Sequence, residues 1–269
     1  MSTNIVKNQH FVPRFYLSRF LNKNNEAEIL ECKRRKIISP CGLKGICCEY
    51  FYYGIETGKQ DEVSQAIERF FGVMEDSIAK VIPEFIDDII NSRQISSCQK
   101  WNVAALMSML WVRGPAMRDA VKQMMCDGDF SLKYNNECHT RMFSYISGYA
   151  NLFSAQHWTV YISNTSKKFV TSDNPVATYI PEHEGWYPPT FLEREHYFSL
   201  SPDICIKSRY ASHKTGKNLV RKTLCEKDND LVLRLNFQIS NKAHQYTYSK
   251  NRRCLEDILT FIHAVENET

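Results

Sequence analysis

The stretch Trp158-Thr159-Val160-Tyr161-Ile162-Ser163-Asn164-Thr165-Ser166-Lys167-Lys168-Phe169-Val170-Thr171-Ser172-Asp173-Asn174-Pro175-Val176 decides the fold class. Its apolar and β-branched residues alternate with a period of two, which marks a strand. Asn164-Thr165-Ser166 supplies a turn, and Lys168 to Thr171 is expected to return as the hairpin partner. Upstream the period is helical. Cys98 to Met125 is apolar nearly all round, through Trp101, Ala104, Ala105, Met107, Met109, Leu110 and Trp111, as a buried central helix would be. Asp61 to Ile90 repeats apolar residues at helical spacing, with Gly72 and Pro83 as places to bend or divide it. Cys138 to Phe153 is a further helix, with a stripe through Met142, Phe143, Ile146 and Tyr149. A helical middle followed by strands gives an α+β fold: a C-terminal antiparallel sheet, a helical middle and a small N-terminal hairpin. The expected organisation is one domain over 1–269, with room for two lobes, 61–153 helical and 1–60 with 154–269 mixed.

Outward from that switch, Tyr197 to Ser201 and Ile204 to Ile206 are strands, and Leu231 to Leu235 is a strand or the start of a helix. Asn236 to Ala243 is helical, Tyr246 to Ser249 is extended, and Cys254 to Val265 is a short amphipathic helix. Pro181 to His196 looks like an excursion, Asp127-Gly128-Asp129 is a turn, and Ser208 to Gly216 is polar. Near the start, Glu28 to Cys32 and Lys36 to Ile38 make a hairpin whose tip is Lys33-Arg34-Arg35.

The chain has 269 residues, 43% hydrophobic and 24% charged, which is ordinary globular composition. Its net charge of +4 permits a polyanion partner without demanding one. Ten cysteines follow a polar start with no signal-peptide pattern, so the expectation is reduced thiols in a cytoplasmic protein, with no membrane span. Cys32, Cys41, Cys47 and Cys48 invite a zinc reading. The adjacent pair Cys47-Cys48 fits it poorly, because neighbouring side chains in a strand diverge. Buried thiols are the plainer role, and no cofactor is expected.

Polar chemistry concentrates at Asn8-Gln9-His10-Phe11-Val12-Pro13-Arg14-Phe15-Tyr16-Leu17. Pro13 keeps Val12 extended and suits the first position of a helix, so His10 sits just ahead of a helix N-terminus. A second cluster is Arg113-Gly114-Pro115-Ala116-Met117-Arg118, where Pro115 breaks the central helix. A third is Thr171 to Pro175, where a strand stops among Ser172, Asp173 and Asn174. Each has a structural reading beside the chemical one: a backbone hydrogen bond for His10, a helix-break contact for Arg113, an Asx-turn for Asp173.

These three clusters, with Leu200-Ser201-Pro202-Asp203 and the Asn236 helix, resemble the domain of unknown function family numbered 4238, found in bacteria and archaea. The His-aromatic-Val-Pro opening with Arg14, Tyr16 and Phe20, and the Thr-Ser-Asp-Asn-Pro stretch, carry the likeness. A Glu on the long helix belongs to it too, with Glu75 a better match than Glu68. The resemblance implies where a site lies and carries no established activity.

Three functions are weighed. Without a phosphate loop or a carboxylate cluster, the residues suit metal-independent cleavage of RNA. His10 would move a proton, Arg14 or Arg113 would neutralise the phosphorane, and Asp173 would orient His10. Asn8, Tyr16, Arg113, Arg118, Ser172, Asn174 and Asn236 would line the substrate site. The setting expected is a toxin or antiphage effector with a regulatory protein partner or a homodimer. The second function is a non-catalytic module that binds a nucleotide or nucleic acid. The third is a hydrolase with Ser172 as nucleophile, though no nucleophile elbow surrounds it.

Overall fold

Proline and aromatic residues shape the first elements of the computed structural model, which describes residues 6–54, 60–125, 138–180, 190–209 and 218–267. Strand β1 (Asn8–His10) leads through Pro13 into one helical turn, α1 (Arg14–Leu17). Pro13 has φ −58° and ψ 138° and caps this turn, one position earlier than the sequence suggests. Its carbonyl accepts the Leu17 amide at 3.0 Å. Strands β2 (Glu26–Glu31) and β3 (Lys36–Gly42) form the expected hairpin. Strand β4 (Cys48–Tyr50) returns to pair antiparallel with β1, with His10 opposite Cys48. Cys47 and Phe51 bracket β4 with φ of 51° and 49°. Side chains avoid that region, so β4 is held by two unfavourable turns.

The helical middle follows. Helix α2 (Gln60–Ile90) runs unbroken for 31 residues, and Pro83 lies inside it without dividing it. Helix α3 (Ser97–Arg113) starts at a capping box in which the Ser96 hydroxyl accepts the Gln99 amide and the Gln99 side chain accepts the Ser96 amide. From Val103 to Leu110 α3 is buried without interruption, which explains its lack of a polar face there, while Trp101 near its start is exposed. It stops at Gly114, and α4 (Pro115–Met125) begins at once. Where one long helix is expected over Cys138 to Phe153, a 3-10 segment (Met142–Tyr145) precedes α5 (Ile146–Ala155). Asp127 to Asp129, residues 181–189 of the excursion and residues 210–216 of the polar run lie outside the described residues.

The second half corrects the sequence reading in two places. Strand β5 (His157–Ser163) does not form a hairpin with Lys168 to Thr171. The chain leaves the sheet after Ser163 and re-enters a different one at β6 (Thr171–Ser172). The reason is local. The Asn236 carboxamide accepts the Val170 amide at 3.0 Å and donates to the Lys168 carbonyl at 2.8 Å, so a side chain takes the place of a neighbouring strand. After β7 (Val176–Tyr179), β8 (Glu195–Ser201) and β9 (Ile204–Arg209) comes β10 (Leu219–Leu224), which is not foreseen in the sequence and runs parallel to β5. The five-stranded sheet is therefore mixed, in the order β10-β5-β9-β8-β7. Helix α6 (Asn229–Asn241), β11 (Tyr246–Ser249) and α7 (Arg252–Asn267) finish the chain. Strand β11 sits between β2 and β6, so the hairpin joins the C-terminal strands in a four-stranded sheet, β3-β2-β11-β6.

The sheets separate two cores. Trp158, Val160, Phe198 and Ile206 face the helical middle. Tyr161, Tyr197 and Cys205, next to them in sequence, face the opposite core that includes Val232 and Leu235 of α6 and Leu255 and Ile258 of α7. Strands covered on both faces need no polar alternation. That is why Tyr197-Phe198-Ser199-Leu200 is buried without interruption. No described helix is long and apolar enough to cross a membrane.

Candidate functional site

His10 ends β1, and its ring is partly buried against the turn before β4. Its Nε2 lies 2.9 Å from the Leu43 carbonyl oxygen. A carbonyl only accepts, so Nε2 carries the proton and neutral His10 keeps its lone pair on Nδ1. Burial, foremost, lowers the pKa from the usual 6.5. The Leu43 bond and Glu75 oppose that, while Arg14 and Arg113 add to it. The four-residue α1 contributes little dipole, so charge and burial replace the helix effect suggested by the sequence. Arg14, the first residue of α1, is exposed beside the ring. Asn8 is exposed two residues before it, paired with Tyr50 across the ribbon.

Arg113 ends α3 and is 1% exposed. Its Nε donates to the Tyr53 hydroxyl, one Nη to Glu75 and the other to the His10 carbonyl. Its guanidinium stacks 4.2 Å from the Phe71 ring centre. The Tyr53 hydroxyl donates to the same His10 carbonyl at 3.0 Å. The Arg113 carbonyl accepts the Tyr52 hydroxyl at 2.8 Å. Burial works against the charge on this guanidinium, but Tyr53 and the Glu75 carboxylate more than offset it and raise its pKa above the ordinary value. Every arm is occupied, so Arg113 fixes the backbone of His10 and does not receive an anion. Glu75 completes the arrangement from α2, at 23% exposure. Glu68 lies a little upstream; burial and the Glu75 charge raise its carboxyl against Arg113, and its Oε2 is buried with no hydrogen-bond partner among the described residues.

Asp173 is placed differently. Its carboxylate accepts the amides of His244, Gln245 and Tyr246 at 2.8, 2.8 and 2.9 Å. Burial raises its pKa, while those amides and His244 pull it back. A carboxylate so occupied does not orient His10, contrary to the sequence expectation. The Ser172 hydroxyl is fully buried and accepts the Asn174 amide at 3.2 Å, a turn contact and not the posture of a nucleophile. The Asn174 side chain donates to the Lys242 carbonyl at 2.7 Å. Asn236 is the strand substitute described above. Buried Tyr16 donates to the Ser199 carbonyl at 2.7 Å and meets the Thr171 hydroxyl at 2.6 Å. Arg118 makes a fork on Glu49 at 2.9 and 3.1 Å and lies 4.5 Å from the Tyr52 ring centre.

The Arg113 and Asp173 stretches adjoin at Gly114, where an added Cβ would lie 4.0 Å from the Asn174 side-chain oxygen. A Cβ on Gly114 would sit 3.3 Å from the Leu110 carbonyl oxygen and 3.9 Å from that of Asp173. Their side chains then point to separate tasks. The structure thus links His10, Arg113 and Glu75, with Arg14 in electrostatic reach of the ring, while the side chains of Ser172, Asp173, Asn174 and Asn236 engage backbone groups. Tyr53 was missed in the sequence. It sits in the aromatic run Tyr50-Phe51-Tyr52-Tyr53, in which no spacing tells one phenol from another.

Cys32, Cys41, Cys47 and Cys48 are free thiols. Burial raises the pKa of Cys32, Cys47 and Cys48. Among the described residues no group of three or more His, Cys, Asp or Glu could hold a metal ion.

No curated protein and no solved structure matches the chain. The family described as "protein of unknown function (DUF4238)" matches residues 8–142 and 122–253, a span that begins at the His10 strand and runs past the Asp173 loop and β11. The chain belongs to the DUF4238 family.

Proposed function

We propose that the protein is a metal-independent ribonuclease whose working group is His10, with exposed Arg14 beside it. The observation that carries this reading is the hydrogen bond from His10 Nε2 to the Leu43 carbonyl, which leaves the lone pair of the neutral ring on Nδ1, with exposed Arg14 in electrostatic reach. In the proposed reaction Nδ1 takes the proton of an RNA 2′-hydroxyl. The 2′ oxygen attacks the adjacent phosphorus, and the bond from phosphorus to the 5′ oxygen breaks. The 5′ oxygen takes a proton from water, leaving a 2′,3′-cyclic phosphate and a 5′-hydroxyl. Arg14 neutralises charge on the pentacoordinate phosphorus. Arg113 and Tyr53 act as positioning residues through the His10 carbonyl, and the Glu75 charge raises the basicity of the ring. A toxin or antiphage role would follow from such an activity.

A second reading has its own support. Asp173 and Arg113 are both committed to structure, so among the described residues the sequence-expected set leaves Arg14 as the exposed cation near His10 and no carboxylate bonded to its ring. A module that binds a phosphate-bearing ligand without cleaving it fits that inventory. Induced expression separates the two. The ribonuclease reading expects growth arrest and fragmented cellular RNA from the wild type, and neither from His10→Ala made at equal level. Intact RNA together with salt-sensitive RNA binding by the purified wild type would favour the binding module.

A further inference from the structure

A cavity of about 390 Å³ opens between α6, α7 and the β2–β3 turn, a size ordinary for small-molecule sites. It lies apart from the His10 group, and its occupant does not depend on what His10 does. Phe237 of α6 and Leu259 and Ile262 of α7 line it while only partly covered, so apolar surface faces the opening. Deeper in, Cys32 contacts the Thr247 hydroxyl at 3.3 Å, and burial keeps that thiol protonated. The inner wall is therefore apolar or neutral. The mouth is not. Lys33 and Arg35 of the hairpin tip stand there, and the Arg35 guanidinium grips both carboxylate oxygens of Glu266, near the end of α7. The mouth thus already recognises a carboxylate, supplied by the chain itself.

We infer that this cavity binds a small amphipathic carboxylate, with its apolar tail among Phe237, Leu259 and Ile262 and its head group on Arg35 and Lys33 in place of Glu266. The exchange is feasible because the Arg35–Glu266 pair is exposed, at 42% and 47%, and exposed pairs hold weakly. The other wall, Ala243 and His244, is kept in position by the Asp173 carboxylate through the loop amides. That gives the Thr171 to Pro175 motif a role in shaping this cavity and none in proton transfer at His10.

The test is calorimetry of the full chain with decanoate below its micelle concentration, alongside decanol and decyltrimethylammonium. Saturable binding of decanoate at one site per chain, with decanol and the cation much weaker, is expected. Arg35→Gln should weaken decanoate by about tenfold or more, as loss of a bidentate head-group contact does. Glu266→Gln should tighten it by removing the competitor. Ile262→Trp should abolish it with the thermal unfolding midpoint retained; if that variant does not fold, the Arg35 and Glu266 variants decide alone. No saturable binding, equal binding of decanol, or attachment to phosphatidylglycerol vesicles without binding of monomeric decanoate would each overturn the inference.

Discussion

The His10 strand and the Thr171 to Pro175 loop look alike in sequence and differ in structure. Each sets polar side chains beside a proline, and each belongs to the matched family span. At the first, the backbone is what is restrained: Arg113 and Tyr53 hold the His10 carbonyl, and the ring makes a hydrogen bond to Leu43. At the second, the side chains themselves are consumed, by the amides of His244 to Tyr246, the Asn174 amide and the Lys242 carbonyl. A polar side chain that spends its groups on backbone builds a loop. One that is positioned through its backbone keeps its chemistry. That contrast directs the functional reading to His10.

The contrast is broken most forcefully at Arg113. Arg113→Met removes the buried member of an ion pair, leaves Glu75 without its cation and takes one of two donors from the His10 carbonyl. It should cost about 3–5 kcal/mol in urea unfolding. A change below about 1 kcal/mol would mean that the group is not buried as described.

A second histidine sharpens the comparison. His139 is 1% exposed, bonded to the Val112 carbonyl at 2.9 Å, and burial lowers its pKa from 6.5 to about 4. The unfolded chain takes this proton first as pH falls. Its contribution is complete above 6.5 and is lost as pH drops through about 4, an acid penalty on the order of 3 kcal/mol. Unfolding of His139→Gln should show a flatter slope between those pH values than the wild type. An identical slope would mean that His139 titrates normally.

Asp173→Ala strands the three loop amides and should cost roughly 2–3 kcal/mol. RNA cleavage per folded molecule should be unchanged. Loss of cleavage in fully folded protein would restore Asp173 to the site and dissolve the distinction between the two regions.

The residues explain which parts of this were legible in sequence. Strand β5 and helix α3 are read from their periods, because burial on both sides of an element leaves a continuous apolar record. The break at Gly114-Pro115 is written in proline. The supposed hairpin after β5 failed because Lys168 to Val170 alternates as a strand does. The partner satisfying its backbone, Asn236, lies 66 residues beyond Val170, too far for any local pattern to reveal. Strand β10 was missed because its charged residues Arg221 and Lys222 lie in a strand at the sheet edge. In the candidate site, His10 and Arg14 stood out by chemistry and position. The engagement of Asp173 by loop amides did not, since a carboxylate spent on amides has the same sequence signature as one that holds an imidazole.

The most direct measurement uses purified protein, a metal chelator, and RNA and DNA oligonucleotides of one sequence, with the wild type and His10→Ala side by side. The account predicts that the wild type cuts RNA to products ending in 2′,3′-cyclic phosphate and spares DNA. His10→Ala should cut neither, with a thermal midpoint nearly that of the wild type. Cleavage of both polymers, or an undiminished rate in His10→Ala, would contradict it.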